Sequence, residues 1–280
     1  MLYQLSYRGN DRFLYYPLFK RGQRHSWIVG ITRSLSHTKD SILENVLSPL
    51  SAFFDLEIVA HFYENAFDET AEGGLLENEI LPFDDIKIQA AEDPEKLDEF
   101  QKIKEFGDYW NNDFKSTRNL FLQLGSLQAL HSFPQVRDSD ICLFLRPDLL
   151  MHTSFSKSIV SIRNLRDDRI LLPFWQNWKG GLNDRFAFCR GERAKKAYAC
   201  RGRHALEFCQ RTGGALQSEQ LLRYSVMRYG VKTQDLNATA SRVRADGRIV
   251  KEDFARRSFR TWRQRRRLIK DWDFSDLDDQ

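Results

Sequence analysis

Four short apolar runs constrain the fold of this chain more than any other feature: SWIVGIT (26–32), EIVAHFYEN (57–65), ICLFL (141–145) and RILLPFW (169–175). Each is too short for a buried helix, is rich in β-branched or aromatic residues and ends in polar residues or glycine, which predicts a buried strand. Between the first two, SHTKDSILENVLSPLSAF (36–53) places Ile42, Val46, Leu47 and Leu50 at helical spacing, with Pro49 limiting the helix near its end. Helical periodicity returns through Leu120, Leu124, Leu127 and Leu130 before ICLFL. Strands alternating with helices predict an α/β fold with a mostly parallel sheet flanked by helices. With 280 residues and 41% apolar side chains, the chain can build such a core, so disorder is excluded as the default state.

Other segments are less regular. From about residue 65 to 108 the chain is acidic and broken by Gly and Pro, which predicts an irregular excursion with at most one weak strand, IKIQA (86–90). Beyond residue 183 the segments DRFAFCRGERAKKAYACR, HALEFCQRT and SEQLLRYSVMRYG read as helices, and TASRVRADGRIV reads as a strand turning at Asp246-Gly247. The expected organisation is one domain over 1–250, with a nucleotide-binding half at about 25–150 and an acceptor half at about 151–250, then a basic and finally acidic tail over 251–280. In that tail seven arginines between Arg256 and Arg267 interleave with Phe259, Trp262 and Leu268. A helical C-terminal extension is expected there, read either as a packed or solvated helix, as an arm on anionic lipid, or as a nucleic-acid patch.

Charge and motif counts narrow the function classes. Forty-three basic against 39 acidic residues give a net charge of +4, too small to argue for nucleic acid by itself. No apolar run has bilayer length, and charges interrupt the N-terminus where a leader's apolar core would lie, so the expected location is cytoplasmic, with peripheral membrane contact through the tail. Cys142, Cys189, Cys200 and Cys209 form no C-x-x-C pair and read as reduced packing residues. The absence of H-E-x-x-H, G-x-S-x-G and the kinase motif set disfavours the common hydrolases and phosphotransferases.

Four polar clusters fall at strand exits or loops, where open parallel sheets bind ligands. In VGITRS, Gly30 allows close backbone approach, while Thr32 and Arg33 offer a hydroxyl and a cation to a nucleotide. In DSDICLFLRPDLL the Asp138-Ser139-Asp140 triplet precedes the strand, on the wrong side for a metal, whereas Arg146-Pro147-Asp148 stands at its exit. Arg146 and Asp148 are candidates for a diphosphate or ribose, and the alternative is a structural ion pair. In NWKGGLNDRF, Gly180 and Gly181 leave room for a ligand, Trp175 and Trp178 offer flat faces to a sugar ring, and Asp184 is placed to accept a proton. Asn183 is an acceptor contact or the cap of a following helix. In SEQLLRY, Ser218 reads as a helix cap and Glu219 as an early-turn acid, or else as an acceptor contact.

Taken in order, IVGITRSLSHTKDSILENVLSPL, EIVAHFYEN, LRPDLL, WKGGLNDRFAF, SEQLL and SRVRADG resemble the GT-A-type nucleotide-sugar-dependent glycosyltransferases of bacterial polysaccharide loci and large algal viruses. WKGGLND also resembles the Trp-Gly-Gly-Glu-Asp-Asp signature of inverting galactosyltransferases, with Lys179 inserted and Leu182-Asn183 where acids would stand. The resemblance implies a GT-A-like sheet and transfer of a sugar from a UDP- or GDP-sugar to a glycan hydroxyl, in polysaccharide biosynthesis. It implies Asp184 as the base of an inverting reaction, with a retaining reaction on the same fold as one alternative. Apart from the resemblance, the basic tail leaves a non-catalytic nucleic-acid-binding or interaction protein as another. Mn²⁺ or Mg²⁺ would sit at Asp148, unless Arg146 takes the metal's role.

Overall fold

The computed structural model describes residues 24–29, 34–64 and 81–255. Gly30, Thr32 and Arg33 lie outside them, as do the arginine-rich tail with its expected helix and the FDETAEGG part of the acidic segment. In chain order the strands are β1 (Arg24–Val29), β2 (Asp55–Glu64), β3 (Asp85–Ala90), β4 (Ile141–Leu145), β5 (Leu149–Met151), β6 (Arg169–Pro173), β7 (Phe186–Arg190), β8 (Lys232–Leu236) and β9 (Ala240–Arg242). The helices are α1 (Leu35–Ile42), α2 (Ser48–Ser51), α3 (Asp98–Lys104), α4 (Lys115–His131), α5 (Pro134–Asp138), α6 (Ile159–Arg163), α7 (Glu192–Ala199), α8 (Ala205–Thr212) and α9 (Ser218–Arg228).

Seven strands form one sheet in the order β3-β2-β1-β4-β7-β6-β8, and β5 pairs with β9 in a small second sheet. Six strands of the large sheet run the same way and β7 runs against them, pairing antiparallel with both β4 and β6. The α/β expectation holds, and the mostly parallel sheet is mixed through one reversed strand. The difference comes from FAFCR, which was expected to be helical: its five residues alternate between two buried faces and are covered on both sides. Phe186 and Phe188 point with Ile141, Leu143, Leu145 and Leu171 into a core closed by α1, α2 and α6. Ala187 and Cys189 point with Cys142, Phe144, Ile170 and Leu172 into the opposite core, closed by α4, α5, α7 and α9.

The acidic segment is more regular than expected. Residues 85–90 form the edge strand β3, parallel to β2, and α3 packs with α4, α8 and α9 through Ile103, Leu120, Phe208 and Leu221. Pro49 stands near the end of its helix, as expected: α1 runs through a π-helical turn at Leu43–Leu47 into α2 (Ser48–Ser51), which ends just past the proline. KTQDL, given no structure from its sequence, is the edge strand β8, while the expected turn at Asp246-Gly247 closes a short bridge between Val243 and Ile249. All four cysteines are buried and unpaired by disulfides, as expected. Among the described residues no helix is long and apolar enough to cross a membrane.

Packing against the body continues to the last described residues. Glu252 and Phe254 are both seated against it, the latter edge-on to the Trp175 ring at 5.0 Å.

One buried cation ties the helical layer to the centre of the sheet. Lys195 of α7 is 2% exposed, and its ammonium donates to the carbonyls of Val136, Arg137 and Ser139 at 2.9, 2.8 and 2.6 Å, where α5 turns into β4. Lys195→Met keeps the volume and removes the donor shared by three carbonyls. It should lower unfolding stability in urea by about 2–4 kcal/mol, and a loss under about 0.5 kcal/mol would show the carbonyls are satisfied without it.

Candidate functional site

Because β7 is reversed, its first residues emerge at the edge where β4 and β6 end. The backbone N–H of Arg146, just past β4, donates to the carbonyl of Arg185, just before β7 (3.3 Å). The two motifs LRPD (145–148) and LNDR (182–185) thus become neighbours. Asn183 is not a helix cap: its side-chain oxygen accepts from the Arg185 N–H (3.0 Å) and its amide donates to the Trp175 carbonyl (2.8 Å), which shapes the turn into the strand.

The glycine loop is stitched to α9. The Gly180 carbonyl accepts from Arg223 (2.7 Å), the Lys179 carbonyl from Gln220 (3.1 Å), and Leu182 N–H donates to the Glu219 carbonyl (2.8 Å). Gly180 has φ of +81°, the left-handed region that favours glycine. Gly181 is required for a different reason than ligand room: a Cβ there would overlap the Glu219 backbone. The two tryptophans also part company. Trp175 is fully buried and its Nε1 donates to the Ala238 carbonyl (2.8 Å), so it is a core residue and presents no face to an acceptor. Trp178 is 40% exposed, and the neighbouring Lys179 ammonium lies 4.8 Å from the centre of the Tyr109 ring.

Asp184 is the hub of the site. It is 4% exposed, and its Oδ2 accepts from Ser218, from Arg201 at 3.3 Å and from Gln123 at 3.5 Å. Gln123 also accepts from Arg146 (3.4 Å), so it links Asp184 to the Arg146–Asp148 pair. Ser218 therefore serves Asp184, and the cap of α9 is Gln217, whose side chain accepts from the Gln220 N–H. Arg146 holds Asp148 bidentately, Nε to Oδ1 at 3.0 Å and Nη2 to Oδ2 at 2.7 Å. Thr38 Oγ1 fixes the loop by donating to the Pro147 carbonyl (2.6 Å), and Val243 N–H does so by donating to the Asp148 carbonyl (2.8 Å). Arg146 thus balances the charge of Asp148, the carboxylate expected to hold a metal unless Arg146 takes that role. Among the described residues no three His, Cys, Asp or Glu side chains converge to hold one.

Electrostatics splits Asp184 from Glu219. Burial alone would raise the Asp184 carboxyl, but the guanidiniums of Arg201 and Arg146 and the Ser218 hydroxyl outweigh it and hold the group below its ordinary range. Burial and the Asp184 charge push Glu219 the other way, up to about 7, where the backbone and arginine contributions offset them only in part. Asp148 repeats the first pattern, its burial outweighed by Arg146. A base must be able to take a proton near its working pH, and by that measure Glu219 is better suited than Asp184. The structure thus brings Arg146, Asp148, Asp184 and Glu219 together, leaves Trp178 at the rim and removes Trp175.

Spacing did not mark Gln123, Gln176, Arg185, Arg201, Gln217, Arg242 or Glu252 as site residues. Arg201 follows α7 in a basic stretch with no distinguishing pattern, yet it is fully buried and stacks its guanidinium 4.8 Å from the Tyr198 ring centre. Arg242 lies in SRVRADG, whose order along the chain was its only signal.

No protein-family model and no curated protein sequence matches the chain. Among solved structures it is similar to mouse xyloside xylosyltransferase 1 in its apo form, with 13% identity over 76% of this chain and 84% of that one and a TM-score of 0.40. It is similar to the mannosyltransferase Ktr4p of S. cerevisiae, with 9% identity over 72% and 64% and a TM-score of 0.42. It is also similar to the galactosyltransferase LgtC in complex with donor and acceptor sugar analogues, with 12% identity over 75% and 73% and a TM-score of 0.41. At these values no residue role passes from them to this chain.

The Glu219 shift has a thermodynamic signature. A carboxyl raised to about 7 in the fold from its ordinary 4.5 contributes stability that is fully present below about pH 4.5 and lost as pH rises through about 7. Glu219→Gln, which mimics the neutral form, should match the parent in unfolding free energy near pH 4.5 and exceed it at pH 9 by on the order of 3 kcal/mol. A difference independent of pH would contradict the shift.

Proposed function

We propose that the chain is a glycosyltransferase that moves a sugar from a UDP- or GDP-sugar to a hydroxyl of a glycan acceptor with inversion. The observation that supports this most is the pair Asp184 and Glu219, one charged and one poised near neutrality, set among arginines at the carboxyl edge of the sheet. Glu219 takes the proton of the acceptor hydroxyl as that oxygen bonds to the anomeric carbon. The bond from that carbon to the diphosphate oxygen breaks, and its electron pair leaves with the diphosphate. Arginine charge at this edge stabilises the departing group, so the reaction as proposed routes no step through a metal. Asp184 positions rather than reacts: it holds Ser218, Gln123 and Arg201 in place. Trp178, exposed next to Lys179, forms the acceptor wall.

A screen of sugar nucleotides by thermal shift, followed by transfer to candidate glycans and determination of the product's anomeric configuration, tests the reading. With an active pair in hand, Glu219→Gln should lower kcat about 10²- to 10⁴-fold while remaining folded. Asp184→Asn should mainly lower stability, because it leaves the fully buried Arg201 without its counter-charge. Full activity in Glu219→Gln would remove it as the base, and retention of configuration would remove inversion.

A further inference from the structure

The segment after β9 turns back at Asp246-Gly247, bridges Val243 to Ile249 and then inserts one carboxylate between two arginines. Glu252 accepts from Arg185 Nη2 at 3.2 Å, from Arg242 Nε at 3.1 Å and from the Gln176 amide. Its side chain is 2% exposed and that of Arg185 is 7%. Gln176 also accepts from Arg185, and it does so from a left-handed backbone at φ of +49°, a conformation a non-glycine residue holds only when its surroundings impose it. This is a built receptor for an anion: two guanidiniums and an amide aimed at one point.

The occupant matches the receptor poorly in charge. One carboxylate stands against two guanidiniums: Asp148 is paired with Arg146 and Asp184 with Arg201, and Glu219, the other carboxyl that Arg185 and Arg242 act on, is pushed up to about 7 and so carries only part of a charge near neutral pH. Arg185 accordingly has its pKa lowered, by burial first and then by the like charges of Arg242 and Arg146, which Glu252 and Asp184 only partly offset. Removing Glu252 would leave two facing cations of fixed geometry, the complement of a diphosphate.

We propose that Arg185, Arg242 and Gln176 form the diphosphate subsite of the donor, and that Glu252 fills it in the free protein and is displaced when the donor binds. The assignment rests on the glycosyltransferase reading for the identity of the ligand, but the subsite itself recognises diphosphate. It also moves the diphosphate away from Arg146, two of whose nitrogens Asp148 already occupies. The strap from Lys251 to Ala255 then acts as an internal competitor.

Calorimetry of the full chain with inorganic pyrophosphate, and separately with UDP and GDP, tests this. Glu252→Ala should bind pyrophosphate at least fivefold tighter than the parent, Glu252→Gln should fall between them, and adding Arg242→Ala to Glu252→Ala should abolish the gain. Circular dichroism establishes that each variant is folded; if Glu252→Ala is not, Glu252→Gln decides by the same criterion. Unchanged or weaker affinity, a gain that survives Arg242→Ala, or no pyrophosphate binding in any variant would overturn the subsite. The outcomes separate the two proposals: a gain for pyrophosphate with no sugar transfer from any nucleotide sugar keeps the subsite and rejects the enzyme. Transfer by the parent with no gain in the variants does the reverse.

Discussion

One strand running against six others determines how this site is assembled. Had FAFCR joined the sheet in parallel, its first residues would lie at the opposite edge from the exits of β4 and β6. Reversed, β7 delivers Asn183, Asp184 and Arg185 to the carboxyl edge from its own beginning, beside Arg146. The reversal is stable because the strand is apolar on both faces, with Phe186 and Phe188 filling one core and Ala187 and Cys189 the other.

From that placement the polar chemistry follows as a chain of charge compensation. Asp184 enters a dry environment and is kept ionised by a buried arginine and a serine hydroxyl. Its charge in turn helps keep the proton on Glu219, one residue beyond that serine. Two carboxylates of similar intrinsic acidity thereby acquire different states, which is what a site for proton transfer requires. The close approach that allows it depends on Gly181, where any side chain would push α9 away from the loop.

Parts of this were legible in the residues themselves. The apolar runs that became β1, β2, β4 and β6, the helical spacing of α4, and the clustering of function at strand exits all follow from local periodicity and composition. FAFCR was not legible as a strand because only Gly191 separates it from a strong helix, ERAKKAYA, and a single glycine does not by itself end a helical pattern in the sequence. Trp175 and Trp178 have the same chemistry and stand three residues apart. Only the path of the chain toward Ala238 decides that one is core and the other rim.

The sequence by itself determined the alternation of strands and helices, the glycines at the tight loop, and the presence of carboxylates and arginines near strand ends, because these depend on neighbours within a few residues. Tertiary structure alone decided which charges meet. Arg201 reaches Asp184 across 17 residues, Gln123 across 61, and Glu252 reaches Arg185 across 67. The proton affinity of each carboxylate is set by burial and by those distant partners, and neither burial nor distance between remote residues is written in local spacing.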